Sequence, residues 1–171
     1  MIRAIVKLFT ALNGNAKKSQ IAAGFAWGML LGLVPAGSFF WIALFLISFF
    51  FRHNHGSKLF FLALIKLLSY IITGPEGPID NLGWWILHID ALNPTFTTLY
   101  NMPFVPFTKF NNTLVIGGLA AGTALWLPVF VISLVLIPLY RNHLAPKIRN
   151  SKVVKFITKI PFLRFIDKAV S

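Results

Sequence analysis

A proline and a glycine interrupt the first long apolar block of the chain, residues 20–51. As one helix, this block of about 32 residues would extend about 48 Å, whereas the hydrocarbon core of a bilayer is about 30 Å thick. One interpretation is a single tilted helix that is kinked at Pro35. The other is a re-entrant hairpin, in which the chain turns at Pro35 and Gly37 and forms two shorter arms, because proline ends a helix and glycine permits a reversal.

The composition indicates an integral membrane protein of the all-α class. Hydrophobic residues make up 57% of the 171 residues, and charged residues only 12%. A soluble domain usually carries about 25% charged residues. The apolar residues also form long blocks rather than alternating with polar ones, which predicts membrane helices.

The distribution of charge favours the hairpin. Cytoplasmic loops of membrane proteins are enriched in Lys and Arg. Arg52 and Lys58 follow the first block and many cations follow the last one, whereas residues 74–108 contain three acids and no Lys or Arg. With a hairpin, every basic cluster is cytoplasmic. We therefore predict a multi-pass membrane protein with both termini in the cytoplasm.

These considerations predict a single membrane domain over residues 1–171 with amphipathic interfacial helices at both termini. Between them we expect the hairpin, about two further spanning helices and an external aromatic loop. In this loop we expect a short helix around residues 80–92, followed by further loop after Asn93-Pro94. In order, the predicted segments are the N-terminal helix 1–18, the broken hairpin 20–51, a membrane helix 59–73, the external loop 74–108, a membrane helix 111–139 and the basic tail 141–171.

Glycines four residues apart predict close helix packing at two places. Gly24, Gly28 and Gly32 precede Pro35, and a second pair precedes Pro128 at Gly118 and Gly122. Such small-residue strips let membrane helices approach each other closely. We favour packing within the chain over a partner's helix. The similar order of glycines, proline and basic end in both blocks also suggests an internal repeat, which is typical of transporter folds.

Lys66 lies near the middle of a predicted membrane helix. A charge at that depth costs several kcal/mol unless it is paired or hydrated, so Lys66 is a candidate functional residue. Three interpretations remain open. The ammonium satisfies backbone carbonyls freed near Pro35, contacts a lipid phosphate, or extends along the helix to the membrane surface.

The excess of cations indicates contact with anionic lipid. There are 16 Lys and Arg against 4 Asp and Glu, a net charge of +12. In the tail, Lys152, Lys155 and Lys159 share one helical face opposite apolar residues, which is typical of a helix at the inner membrane surface. We do not expect nucleic-acid binding, because no recognised reading motif accompanies the charge.

Residues suited to catalysis or metal binding are scarce. The chain contains no cysteine and only four acids. His88, Asp80 and Asp90 form a weak candidate cluster, because no motif for a nucleophile accompanies them. We expect no enzyme activity, no metal and no cofactor.

The first apolar block resembles the bacterial domain-of-unknown-function family 2062, and within it a branch of small inner-membrane proteins. The matching residues are Ala23, Gly24, Gly28, Gly32, Pro35, Gly37, Arg52 and Asn54. No catalytic residue is defined for that family. The resemblance implies a Gram-negative-type inner membrane and a larger, membrane-anchored periplasmic partner.

Three functions are therefore considered. The first is a non-enzymatic subunit of a bacterial envelope complex, acting in phospholipid transport or envelope maintenance, with membrane lipids and the larger protein as partners. The second is a small-solute or ion transporter built on the internal repeat. The third is a lipid-modifying enzyme that uses His88, Asp80 and Asp90.

Overall fold

A computed structural model describes residues 16–68 and 76–144, and the regular elements in these ranges are all helical. This agrees with the predicted all-α class. The α-helices in these ranges are α1 Lys18–Leu33, α2 Phe39–Ser48, α3 His55–Leu67, α4 Pro78–Leu87, α5 Asn93–Asn101 and α6 Thr113–Leu139. Short 3-10 helices occupy Asp90–Leu92 and Val105–Thr108, and a π-helical turn, Tyr140–Leu144, follows α6.

Polar side chains define where several helices begin. The Ser38 hydroxyl accepts the backbone N–H of Trp41 at 3.2 Å at the start of α2. The Asn54 side chain accepts the N–H of Ser57 at 2.9 Å at the start of α3. In both positions a short polar side chain satisfies an N–H that has no partner within the helix.

Helices α1 and α3 lie side by side and run in the same direction. Near their starts, the N–H of Asn54 donates to the carbonyl of Gln20 at 2.9 Å. Near their ends, Lys66 Nζ donates to the carbonyl of Val34, also at 2.9 Å. The intervening helix α2 therefore returns the chain, and the first apolar block begins and ends at the same level.

Helix α6 runs antiparallel to α1 and contacts it through two glycines. A Cβ at Gly118 would lie 2.7 Å from the carbonyl oxygen of Leu33, and a Cβ at Gly122 would lie 2.5 Å from the Leu30 side chain. Gly122, the later of the two glycines, thus contacts Leu30, and Gly118 contacts the later residue Leu33, so the two helices are antiparallel. The main apolar core lies at this end of the bundle, and α1, α3, α4 and α6 each contribute one residue: Leu33, Ile65, Ile79 and Ala121.

In the described part of the chain, one helical stretch is long and apolar enough to cross a membrane. It covers 31 residues, Thr113–His143, and an 18-residue window within it has a mean hydropathy of 2.3. Helices α1 and α3 have 16 and 13 residues and are shorter than the bilayer core. Of the two predicted spanning helices, one therefore reaches spanning length within residues 16–68 and 76–144. The predicted segment 59–73 begins earlier, at His55, and is described only as far as residue 68.

The two apolar blocks fold differently, contrary to the suggested repeat. The chain reverses after Pro35, whereas α6 continues through Pro128 without a break. Gly37 and Ser38 follow Pro35, and they provide the left-handed turn residue and the cap of a new helix. Apolar residues follow Pro128, and they offer the chain no turn.

The segment 74–108, predicted to be external, contains more helix than expected. We expected a short helix followed by loop after Asn93-Pro94, but α5 begins at Asn93 and runs to Asn101. Proline lacks an N–H and has a fixed φ, and both properties suit the first turn of a helix. The Asn-Pro pair therefore begins a helix here rather than ending one.

By residue contacts the chain divides into two compact units, Met1–Leu134 and Val135–Ser171. The second unit is described over residues 135–144, which form the end of α6 and the π-helical turn. The predicted N-terminal helix over 1–18 lies outside the described residues except for its last three, and the predicted tail over 141–171 lies outside them after residue 144.

Candidate functional site

The turn at Pro35 is the centre of the candidate site. Gly37 has φ +83°, in the left-handed region that favours glycine. The Ser38 hydroxyl donates to the carbonyl of Pro35 at 2.9 Å and caps α2. The predicted turn residues Pro35 and Gly37 thus lie where the direction of the chain reverses.

Two side chains satisfy carbonyls at the end of α1. Trp41 Nε1 on α2 donates to the carbonyl of Leu31 at 2.9 Å. Lys66 Nζ on α3 donates to the carbonyl of Val34 at 2.9 Å. Of the three interpretations of Lys66, the structure places the ammonium on a backbone carbonyl beside Pro35. The Lys66 side chain is half-buried, and two of its three ammonium hydrogens are not used by the bond to Val34.

Sequence reasoning treated Lys58 only as a loop cation, but it is almost fully buried, with 1% of its surface exposed. Its Nζ donates to the Ser48 hydroxyl at 2.9 Å. It also lies 4.9 Å and 4.5 Å from the ring centroids of Phe45 and Phe49. The aromatic faces attract the cation, which compensates in part for its lost hydration.

Lys58 and Lys66 lie near opposite ends of α3, and each places its ammonium at the C-terminal end of another helix. Lys66 contacts the C-terminal end of α1 and Lys58 the C-terminal end of α2. A helix C-terminus carries about half a negative charge, so each cation is stabilised by a helix end. Neither ammonium pairs with a carboxylate within residues 16–68 and 76–144. We call this arrangement of Lys58, Lys66, Ser48 and the Val34 carbonyl the two-lysine clasp.

His53 lies beside the clasp and is 8% exposed. Its Nδ1 lies 2.8 Å from the carbonyl of Phe51, which makes Nδ1–H the donor and leaves Nε2 as an acceptor. Burial, and next the charge of Lys58, lower the pKa of His53 to about 4. The same two causes lower the pKa of His55. His53 is therefore neutral at pH 7.

The glycines of α1 lie against α3. A Cβ at Gly28 would lie 2.5 Å from the carbonyl oxygen of Lys58, and one at Gly32 would lie 2.6 Å from Ile65 Cβ. A Cβ at Gly24 would overlap the Ser57 hydroxyl. The glycine strip is thus occupied within the chain, and it lets α3 approach closely enough for Lys58 and Lys66 to reach the hairpin.

A further glycine contact was missed by sequence reasoning. A Cβ at Gly83 on α4 would overlap the backbone of Thr113, and one at Gly117 would overlap the carbonyl of Ile79. The adjacent glycines Gly117 and Gly118 could have predicted this contact. Adjacent residues lie on different faces of α6, so each glycine can pack against a different helix. The Thr113 hydroxyl also donates to the Asp80 carboxylate and joins the same two helices.

The proposed cluster of His88, Asp80 and Asp90 does not share a contact. His88 stacks on Trp84 with ring centroids 4.1 Å apart, and its Nδ1 lies 2.7 Å from the Trp84 carbonyl. Asp80 binds Thr113 and also accepts the N–H of Glu76 at 3.1 Å. Within residues 16–68 and 76–144, no three potential metal ligands come together. Lys152, Lys155 and Lys159 lie outside the described residues.

A comparison with curated proteins finds a relative in Treponema pallidum (strain Nichols), an uncharacterized protein. It is 33% identical over 164 residues, which cover 96% of this chain and 99% of the relative. No family profile matches the chain, so the resemblance to family 2062 is not confirmed, and no solved structure matches it. Because the similarity extends over nearly the full length of both proteins, the chain belongs to the same family as this uncharacterized treponemal protein.

Proposed function

We propose that the chain is a non-enzymatic, multi-pass subunit of an envelope complex in the bacterial inner membrane, where its hairpin engages phospholipid. The observation that carries the proposal is the hydrogen bond from the Asn54 N–H to the Gln20 carbonyl, at 2.9 Å. This bond joins the two ends of the first apolar block. A hairpin closed in this way enters and leaves a bilayer on the same side.

The charges near the two ends of the bundle support this orientation. Lys17, Lys18 and Arg52 are exposed near the start of α1. Asp80 lies at the other end, where it accepts from Thr113, the first residue of α6. Since cytoplasmic segments are rich in Lys and Arg, the start of α1 faces the cytoplasm in the proposed orientation.

The short hairpin supports contact with phospholipid. Helix α2 has 10 residues, or about 15 Å, half of the hydrocarbon core. Four of its apolar side chains are exposed, Phe39, Ile42, Leu46 and Ile47, and Phe50, which follows the helix, is 88% exposed. Helices shorter than the bilayer core thin the membrane around them. A thinned bilayer brings lipid phosphates towards Lys66, whose ammonium has hydrogens beyond the one bonded to Val34.

The proposed partner is a larger membrane-anchored periplasmic protein, as the resemblance to family 2062 implies. Chemical crosslinking in native membranes tests this part. We expect the chain to appear in a product heavier than its own dimer. Recovery of the chain as a monomer, in membranes where a known complex crosslinks efficiently, would contradict the subunit role.

Single cysteines test the orientation cleanly, because the natural chain has no cysteine. Ser19→Cys and Arg52→Cys, both at exposed positions, bracket the first block, and Ala91→Cys reports on the external segment. In intact spheroplasts, a membrane-impermeant maleimide should label Ala91→Cys alone. In inside-out vesicles it should label the other two. Labelling of Ser19→Cys and Arg52→Cys from opposite sides would overturn the proposal.

A matched pair of variants on α3 tests the proposed binding of lipid. Lys66→Met removes a half-buried ammonium at the hairpin turn, whereas Lys58→Met removes one that is 1% exposed and out of reach of lipid. After purification in mild detergent, phosphorus analysis should find severalfold less bound phospholipid on Lys66→Met than on Lys58→Met. Equal amounts of phospholipid on both variants would contradict the role of Lys66.

A further inference from the structure

A pocket of about 280 Å³ lies among α4, α5 and the segment that precedes α6. Its apolar wall is formed by Leu87, Phe96 and Phe110. The two phenylalanine rings lie 6.1 Å apart between centroids, and Phe110 is buried. The residues of the apolar wall therefore come from three different segments.

The polar part of the lining is uncharged among the described residues. Tyr100, Asn101 and Asn111 are exposed lining residues, and their side chains have no hydrogen-bond partner within the described ranges. The fourth polar lining residue, Thr97, donates its hydroxyl to the carbonyl of Asn93 at 2.9 Å. Two amides and one phenol thus remain available to a ligand, and together they offer both donors and acceptors.

The chemistry of this lining selects a class of ligand. No Lys, Arg, His, Asp or Glu is among the described residues that line the pocket, so a charged ligand would find no counter-charge in this lining. A purely apolar ring would leave the amides without partners, which is unfavourable wherever they become buried. A sugar ring has an apolar face that packs on aromatic side chains and hydroxyls that both donate to and accept from amides.

We propose that this pocket binds one uncharged sugar ring, supplied either as a free saccharide or as the headgroup of a glycolipid. The volume suits a single ring, since pockets for larger drug-sized ligands begin at about 300 Å³. Phe96 and Phe110 pack against the face of the ring, and Asn101 and Asn111 bind its hydroxyls. The proposal does not depend on the function proposed above, because neither Lys66 nor the hairpin lines this pocket.

Saturation-transfer NMR on the full chain in nanodiscs tests the proposal. The probes are glucose, galactose and N-acetylglucosamine, with glucuronic acid as a charged sugar and indole as an apolar ring. We expect transfer to at least one neutral sugar and none to glucuronic acid. Asn101→Ala combined with Asn111→Ala should weaken that binding about tenfold, since each amide hydrogen bond contributes about 0.5 to 1.5 kcal/mol.

Two further variants keep the test decisive. Asn142→Ala, an exposed asparagine outside the lining, should bind the sugar as the wild type does, and Tyr100→Phe removes one hydroxyl with little change in shape. If the natural ligand is a glycolipid headgroup, a neutral glycolipid in the nanodiscs should reduce binding of the free sugar. If the natural ligand is a free saccharide, the glycolipid should leave that binding unchanged. Absence of transfer to all neutral sugars, or displacement of the sugar by indole alone, would overturn the proposal.

Discussion

The Lys66 ammonium donates a hydrogen bond to the carbonyl of Val34 at 2.9 Å. This bond joins the end of α3 to the residue that caps the C-terminal end of α1. Helix α1 ends at Leu33, and Val34, which caps it, is extended and precedes Pro35. The carbonyl therefore receives no N–H from a continuing helix, and a lysine 32 residues away satisfies it. Four predictions follow from this contact and its neighbours.

Loss of the Lys66 ammonium should destabilise the fold. Lys66→Met keeps most of the apolar stem but leaves the Val34 carbonyl without its donor, which costs about 1–3 kcal/mol for a buried group. We expect thermal unfolding in detergent to begin several degrees lower. Lys109→Met is the control, because Lys109 is an exposed lysine that is not part of the clasp. A Lys66→Met variant as stable as this control would contradict the structural role of the contact.

Lys58 and Ser48 should be energetically coupled. Ser48→Ala removes the hydroxyl that accepts from Lys58 Nζ at 2.9 Å, and Lys58→Met removes the charge. Residues that share a buried hydrogen bond show interaction energies of about 0.5–3 kcal/mol. We therefore expect the double variant to lose clearly less stability than the sum of the single variants, as measured by chemical unfolding. Simple additivity would mean that the two side chains do not interact in solution.

Replacing Gly28 or Gly37 by alanine should destabilise the fold, for a different physical reason at each position. A Cβ at Gly28 would lie 2.5 Å from the Lys58 carbonyl, so Gly28→Ala should separate α1 from α3 and cost about 1–3 kcal/mol. Gly37 has no neighbour within 4 Å of its Cβ position, but its φ is +83°. Gly37→Ala should therefore lose about 1–2 kcal/mol through backbone strain alone.

Asparagine separates these two mechanisms, because it tolerates left-handed φ better than alanine. Gly37→Asn should recover part of the stability that Gly37→Ala loses, whereas Gly28→Asn should be worse than Gly28→Ala. Melting temperatures of the four variants provide the measurement. The reverse order at either position would show that the wrong cause had been assigned to it.

Acid should destabilise the fold through His53. Burial and the charge of Lys58 lower its pKa in the folded chain from 6.5 to about 4. Between these two values the unfolded chain binds more protons at this position, so the free energy of unfolding falls as the pH is lowered from 6.5 towards 4. His53→Gln should flatten that part of the stability profile.

Sequence reasoning came close to the structure where local properties decide. The length of the first apolar block, its proline and glycine, and the spacing of Gly24, Gly28 and Gly32 are all visible along the chain. It failed at Asn93-Pro94, because the same dipeptide suits a loop and the first turn of a helix. It also treated Lys58 as a loop cation, because neighbouring residues in sequence do not reveal that α2 folds back over it.

The amino-acid sequence is enough to predict a helical, apolar chain, a first block too long for one straight crossing, and the place where a reversal is allowed. These are properties of composition, helix rise and backbone sterics, which act over a few residues. That the chain reverses at Pro35 but continues through Pro128, and that Lys58 and Lys66 contact the ends of α2 and α1, becomes visible only in the folded chain. A buried charge takes its partner from the helix end that lies beside it, and packing between helices selects that end.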